Sequence, residues 1–145
     1  MPSVMDVLSG KGSQVFTISA DASVLEAALV MNEHKIGALV VSEGGHVHGM
    51  FTERDMLRRV VALRKDPAHT RVGDVMTDEV VVCEEGCDIE DARAIFRDRR
   101  IRHLPIVDQS GRLKGMLSIG DVNAFQLHKH EVHIHFLEEY LYGRV

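Results

Sequence analysis

Two hydroxyl–carboxylate pairs recur at the same spacing: Thr52 and Asp55 in Gly49-Met50-Phe51-Thr52-Glu53-Arg54-Asp55, and Ser118 and Asp121 in Gly115-Met116-Leu117-Ser118-Ile119-Gly120-Asp121, 66 positions on. Each pair follows a strand-like apolar run and opens a helix. A carboxylate can accept from both hydroxyls of a vicinal diol through charge-assisted hydrogen bonds. A hydroxyl at the mouth of a helix can donate to a phosphate, where unpaired N–H groups and the helix dipole favour an anion. The chemistry that fits is the holding of a phosphorylated ribose, with Asp55 and Asp121 on the sugar and Thr52 and Ser118 on the phosphate. Ser/Thr-x-x-Asp is also close to an ordinary capping box, which needs no ligand. The duplication and the preceding glycine weigh toward the ligand, and the two roles can coexist.

The repetition extends beyond the motif. Val4-Met5-Asp6-Val7-Leu8 answers to Val72-Gly73-Asp74-Val75-Met76, and Ile36-Gly37-Ala38-Leu39-Val40-Val41 to Ile101-Arg102-His103-Leu104-Pro105-Ile106. A repeated supersecondary unit ordinarily buries its apolar face against its copy. In the first copy, Val15 to Ile18 reads as a strand and Ser23-x-x-Glu26 as the start of a helix, with Val24, Ala27, Ala28 and Met31 on its buried face. Strands at Ala38 to Val41 and Val47 to Phe51 follow, joined by a turn at Glu43-Gly44-Gly45, and a helix runs from Glu53 to Leu63. The second copy repeats the order: strand Val80 to Cys83, helix Asp88 to Arg99 with Ile89, Ala92 and Phe96 inward, strands Leu104 to Val107 and Leu113 to Leu117, and a helix from Ile119. Arg64-Lys65-Asp66-Pro67 is the linker. Each unit is β-α-β-β-α, so the fold class is α+β. Val132, Phe136, Leu137, Tyr140 and Leu141 then form the apolar stripe of a further C-terminal helix, expected to pack on other helices or on a second subunit.

With 145 residues and 45% hydrophobic content, the chain can bury one ordinary core. A net charge of -5 and few aromatic residues, with no Trp, argue against nucleic acid as a partner. No apolar run approaches the roughly 18 residues of a membrane span and no signal peptide is legible, so a soluble, cytoplasmic protein is expected. Cys83 and Cys87 lack the second pair of a zinc ribbon and are read as reduced thiols. His128, His130, His133 and His135 are read as solvated or interface imidazoles, because no carboxylate or Cys completes a metal shell around His130 and His133. His46 and His48 are expected to be exposed on a turn. Neither a positioned nucleophile with its base nor a Gly-rich phosphate loop with lysine is visible, which argues against an enzyme.

Taken together, Asp-Val-Leu or Asp-Val-Met before each copy, the helix ending in Ile36-Gly37 or Ile101-Arg102, and the Gly-x-x-Thr/Ser-x-x-Asp ending resemble a tandem pair of CBS domains, a Bateman module. Thr52-Glu53-Arg54-Asp55 and Arg102-His103-Leu104-Pro105 resemble most closely the small free-standing bacterial members. The resemblance implies CBS repeats over residues 3–66 and 71–128, an extension over 129–145, packing about a pseudo-twofold axis, and clefts for AMP, ADP, ATP or NAD(H), with S-adenosylmethionine ranked last. It also implies a homodimer of pairs and a client protein that the sequence does not identify. By the same resemblance, adenine meets the backbone around Thr17, Ile18, Val82 and Cys83, with apolar walls from Ile36, Ile101, Met76 and Pro105. Arg102 and His103 are placed beside the cleft of Ser118 and Asp121, and Arg54 serves the other. Gly37 and Ala38 hold the first-copy positions, so the clefts should be unequal. The function implied is a non-enzymatic nucleotide sensor; the alternative is a constitutive dimeric scaffold without a ligand.

Overall fold

The computed structural model of the chain describes residues 2–11 and 15–126. The C-terminal stripe from Val132 to Leu141 and the histidines from His128 to His135 lie outside the described residues. In chain order, the elements are α1 (Val4–Lys11), β1 (Thr17–Ile18), α2 (Val24–His34), β2 (Ala38–Glu43), β3 (His46–Thr52) and α3 (Glu53–Asp55), the last continuing as a π-helical turn over Met56–Val61. A 3-10 turn at Pro67–His69 leads to α4 (Val72–Val75), β4 (Cys83–Glu84), α5 (Ile89–Arg99), β5 (His103–Val107) and β6 (Leu113–Ser118). A last helix, α6, spans 119–126.

Local chemistry explains most boundaries. The Ser23 hydroxyl accepts from the Glu26 N–H at 3.1 Å and starts α2, and Asp88 does the same for α5 through the Glu90 N–H at 3.2 Å. Both helices stop at a residue in the left-handed region, Lys35 and Arg100, each with φ of 54°. The Gly44-Gly45 pair has φ of 61° and 84°, which suits the tight turn between β2 and β3.

The strands form two three-stranded sheets, ordered β1-β2-β3 and β4-β5-β6, each with one parallel and one antiparallel pairing. Alternation along the strands divides them into two faces. Ala38, Val40, Met50 and Met116 pack together between the sheets, while Leu39, Val41 and Phe51 face the helices of the first half. The result is helices outside and two sheets inside, an α+β fold.

The helices that lead each copy were not foreseen, and they change places. Val4, Val7 and Leu8 of α1 lie in the core of the second half with Cys83, Ile89, Phe96, Leu104 and Leu117. Val72 and Val75 of α4 lie in the core of the first half with Val24, Met31, Phe51 and Val60. Each unit is therefore α-β-α-β-β-α, with its leading helix donated to its twin. The motif glycines record this exchange: a Cβ at Gly49 would meet Met76 Sδ at 2.5 Å, and one at Gly115 would meet Leu8 Cδ1 at 3.0 Å. Their small size makes room for the crossing residue. The twofold relation also appears in the matching bridges Ser3–Asp88 and Ser23–Arg71.

Two departures from symmetry shape the site. First, α4 stops after Val75, and the following chain pairs back on β3, with Met50 N–H to Thr77 O and Thr77 N–H to Met50 O both 2.8 Å. The equivalent α1 runs on to Lys11. Second, the Val40 N–H donates to Phe16 O at 3.2 Å and extends β1, but the equivalent Pro105 has no N–H. The expected strands Val15 to Ile18 and Val80 to Cys83 both shorten to two residues, Thr17–Ile18 and Cys83–Glu84, and the pairing of the second begins one position later, at Ile106 rather than Pro105. The chain ahead of Cys83 leaves the ladder, and Val80 and Val81 line an opening between the halves.

Candidate functional site

The opening is a cavity of about 310 Å³ lined by Thr52, Arg54, Asp55, Arg102, His103 and Val81 among others. It is at the lower end of the range for small-molecule pockets, about 300–1,000 Å³. The first copy supplies the end of β3 and the start of α3. The second supplies the chain before β4 and the residues entering β5.

Asp55 is 6% exposed and is the buried charged residue of the described core. Its Oδ2 accepts from the Thr52 N–H at 3.0 Å and the Thr52 hydroxyl at 3.1 Å. The Thr52 Oγ1 in turn accepts from the Asp55 N–H at 3.2 Å, completing a reciprocal cap. The Asp55 Oδ1 accepts from the Thr77 hydroxyl at 2.9 Å. Arg59, placed one turn later by the π-helical segment, brings Nε to 3.8 Å of the same oxygen and donates through Nη1 to Met76 O at 2.8 Å. A buried carboxylate needs such company, because an unpaired buried charge is strongly unfavourable. The arrangement holds the Asp55 carboxyl in place at the cavity wall.

Cationic side chains surround it. Arg54, Arg100 and Arg102 line the cavity with His103, against the carboxylates of Glu53, Asp55 and Glu79. Since Asp55 already has Arg59 beside it, the remaining arginines are available to an anion entering from solvent. Gly37 opens one side: a Cβ there would approach the Glu53 carboxylate at 3.3 Å.

The structure gathers Gly37, Thr52, Arg54, Asp55, Arg102 and His103 from the sequence reading into this one cavity. It does not divide the cations as expected. Arg102 and His103 face the cleft of Thr52 and Asp55, on the same side as Arg54, rather than the side of Ser118 and Asp121. The reason is that this cleft is built across the halves, so the β5 entry of the second copy meets the α3 start of the first. Ser118 and Asp121 repeat the cap, with Ser118 N–H to Asp121 Oδ2 at 2.9 Å and Asp121 N–H to Ser118 Oγ at 3.0 Å. Neither lines this cavity.

The remaining expected residues lie elsewhere. Thr17 and Ile18 form β1, and Ala38 is buried between the sheets. Cys83 and Pro105 are buried, Cys83 in the second core and Pro105 within β5. Met76 packs on the first core and over Gly49. Val82 lines a separate opening of about 270 Å³ with His46, His48 and Asp78. Val80 and Val81 line the cavity, earlier in the chain than the expected Val82 and Cys83. Thr77, Glu79 and Arg100 were missed. For Arg100 the signal was available, since it immediately precedes Ile101-Arg102; for Thr77, nothing in the repeat pointed to it, because its counterpart Ser9 sits in a helix.

Comparison with known proteins decides the family. The CBS-domain family model matches residues 5–62 and 72–127. The chain belongs to the CBS-domain family. Its relatives include the CBS domain-containing protein YhcV of Bacillus subtilis, 38% identical over 127 residues, with 88% of this chain and 87% of that protein covered. Among solved structures, the CBS-domain containing protein ATU1752 from Agrobacterium tumefaciens is 38% identical with a TM-score of 0.80, covering 86% of this chain and 99% of that one. The CBS domain pair of protein MJ0100, solved with 5'-methylthioadenosine and S-adenosyl-L-methionine, shares the fold at 22% identity, with a TM-score of 0.77 and coverage of 86% and 98%. The chain is thus a CBS pair, the type of module that serves as a regulatory ligand-binding unit. Among the described residues, no helix is long and apolar enough to cross a membrane.

Proposed function

We propose that this CBS pair is a non-enzymatic sensor that binds an adenine nucleotide, AMP, ADP, ATP or NAD(H), in the cavity between its halves. The observation that carries the reading is the convergence of Thr52 and Asp55 from one copy with Arg102 and His103 from the other on a single opening. In this reading the ribose diol exchanges hydrogen bonds with Asp55, the phosphates face Arg54, Arg100 and Arg102, and the base lies along Val80, Val81 and Ile101. A mixed set of fixed donors and flexible cations suits binding of an anion. The bound adenosine compounds of MJ0100 support the choice of adenosine chemistry, and the cationic lining favours a phosphate over a sulfonium.

Sensing requires that the ligand bind two states of the protein unequally. A ligand that spans both copies meets that need, because its affinity depends on how the halves are set. The protein acts as a homodimer of pairs in this reading, and its client responds to the ligand-bound surface.

One observation favours the alternative, a constitutive scaffold. Both Asp55 oxygens are already engaged by Thr52, Thr77 and Arg59, so the carboxylate has a structural role without any ligand. Thermal shift with AMP, ADP, ATP, NAD, NADH and S-adenosylmethionine separates the two. A sensor shows a saturable rise in Tm with at least one nucleotide, by linkage, and loses it in Arg102→Ala. A flat response to every compound supports the scaffold.

A further inference from the structure

Cys83 Sγ lies 2.9 Å from Cys87 Sγ, and both thiols are free. Cys83 is the first residue of β4 and is 5% exposed, at the base of the second core. Cys87 ends a tight turn whose Cys87 N–H donates to Glu84 O at 2.9 Å, and it is only half-buried. The turn therefore holds one thiol inside the fold and the other within reach of solvent, already in mutual contact. A disulfide needs a separation of about 2.05 Å. The remaining approach is under roughly one ångström.

The turn also anchors the exchanged helix. The Val4 N–H donates to Cys87 O at 2.9 Å, the Ile89 N–H donates to Pro2 O at 3.1 Å, and Ser3 bridges Asp88. Through these bonds α1 is tied to the segment carrying both sulfurs. On the other side of Cys83, Val80 and Val81 line the central cavity.

We propose that Cys83 and Cys87 form a thiol–disulfide exchange site, oxidised reversibly by a low-molecular-weight disulfide, which locks the turn that docks α1. The Cys87 thiolate attacks one sulfur of the small disulfide. The new S–S bond forms as the reagent's own bond breaks, and the departing thiolate takes up a proton. Cys83 sulfur then attacks Cys87 sulfur, gives its proton to solvent and releases the second small thiol. Two protein thiols are oxidised and one disulfide is reduced to two thiols. Attack begins at Cys87 because it is the accessible member, while burial and its hydrogen bond to Cys87 push the Cys83 thiol up to about 12.

The test equilibrates the full chain with mixtures of reduced and oxidised glutathione, quenches with acid, and reads intact mass and free thiols. The expected product is a single chain lighter by two hydrogens, with both thiols lost together and restored by excess reduced glutathione. The Cys83→Ala variant should instead stop at a stable glutathione adduct on Cys87. Two thiols that stay reduced at every ratio, a wild-type chain that stops at the mixed adduct, or a disulfide joining two chains would each overturn the proposal. The wild-type measurement stands even where the variant folds poorly.

Discussion

The Thr77 hydroxyl donates to Asp55 Oδ1 at 2.9 Å across 22 positions of sequence and across the boundary between the copies. It occupies an oxygen that a ribose would use under the proposed function, and it comes from the chain that follows the exchanged α4. Thr77→Val should therefore act in opposite directions. Loss of a bond to a buried carboxylate should lower stability by about 1–3 kcal/mol, while the vacated oxygen should strengthen nucleotide binding. Denaturant melts and calorimetric titration of one variant measure both. Weaker binding with unchanged stability would mean that Thr77 contacts the ligand itself.

The two motif aspartates should separate on mutation. Asp55→Ala strips acceptors from Thr52, Thr77 and Arg59 and should cost about 2–3 kcal/mol. Asp121→Ala, where the Ser118 N–H loses its acceptor, should cost about 1 kcal/mol. Nucleotide-dependent stabilisation should vanish in the first and persist in the second. Equal loss of ligand response in both would contradict the assignment of one cation-lined cavity.

Lys35 and Arg100 stand at equivalent helix ends in the same left-handed conformation. Glycine relieves that conformation, so Lys35→Gly and Arg100→Gly should each stabilise the fold by roughly 1 kcal/mol. Only Arg100 lines the cavity. Arg100→Gly should therefore bind phosphate-bearing ligands more weakly, with Lys35→Gly unchanged, a split readable from melting temperature against dissociation constant.

Alkaline titration should expose Cys83. Its folded-state pKa is raised from 9.0 to about 12 by burial, then by its hydrogen bond to Cys87. Between those values the unfolded chain loses the proton and the folded chain keeps it, so the folded state is progressively disfavoured as pH rises. Stability should fall more steeply above pH 9 in the wild type than in Cys83→Ser, and the two slopes should match below it. Parallel curves throughout would place the Cys83 thiol in water.

Much of the architecture was legible from local pattern. The buried stripes of α2 and α5, the Gly44-Gly45 turn and the paired strands follow from periodicity and turn chemistry that a single sequence carries. The exchange of α1 and α4 was not legible, because Val4, Val7 and Leu8 are equally apolar whichever core receives them. The placing of Arg102 beside Ser118 and Asp121 failed for the same reason: repeats reveal which residues correspond, not which copy faces which. Pro105 reads as a cavity wall in the sequence, whereas it is buried within β5 and, lacking an N–H, coincides with the later start of the β4 pairing at Ile106. Thr77 escaped because its role arises only where the two copies differ.

Isothermal titration of AMP, ADP, ATP and NAD into the intact protein, with Arg102→Ala alongside, addresses the central claim most directly. The account predicts saturable heat for at least one of them at one site per chain, and about tenfold weaker binding in Arg102→Ala, the equivalent of about 1.4 kcal/mol. No heat with any of the four, or an affinity indifferent to Arg102, would contradict it.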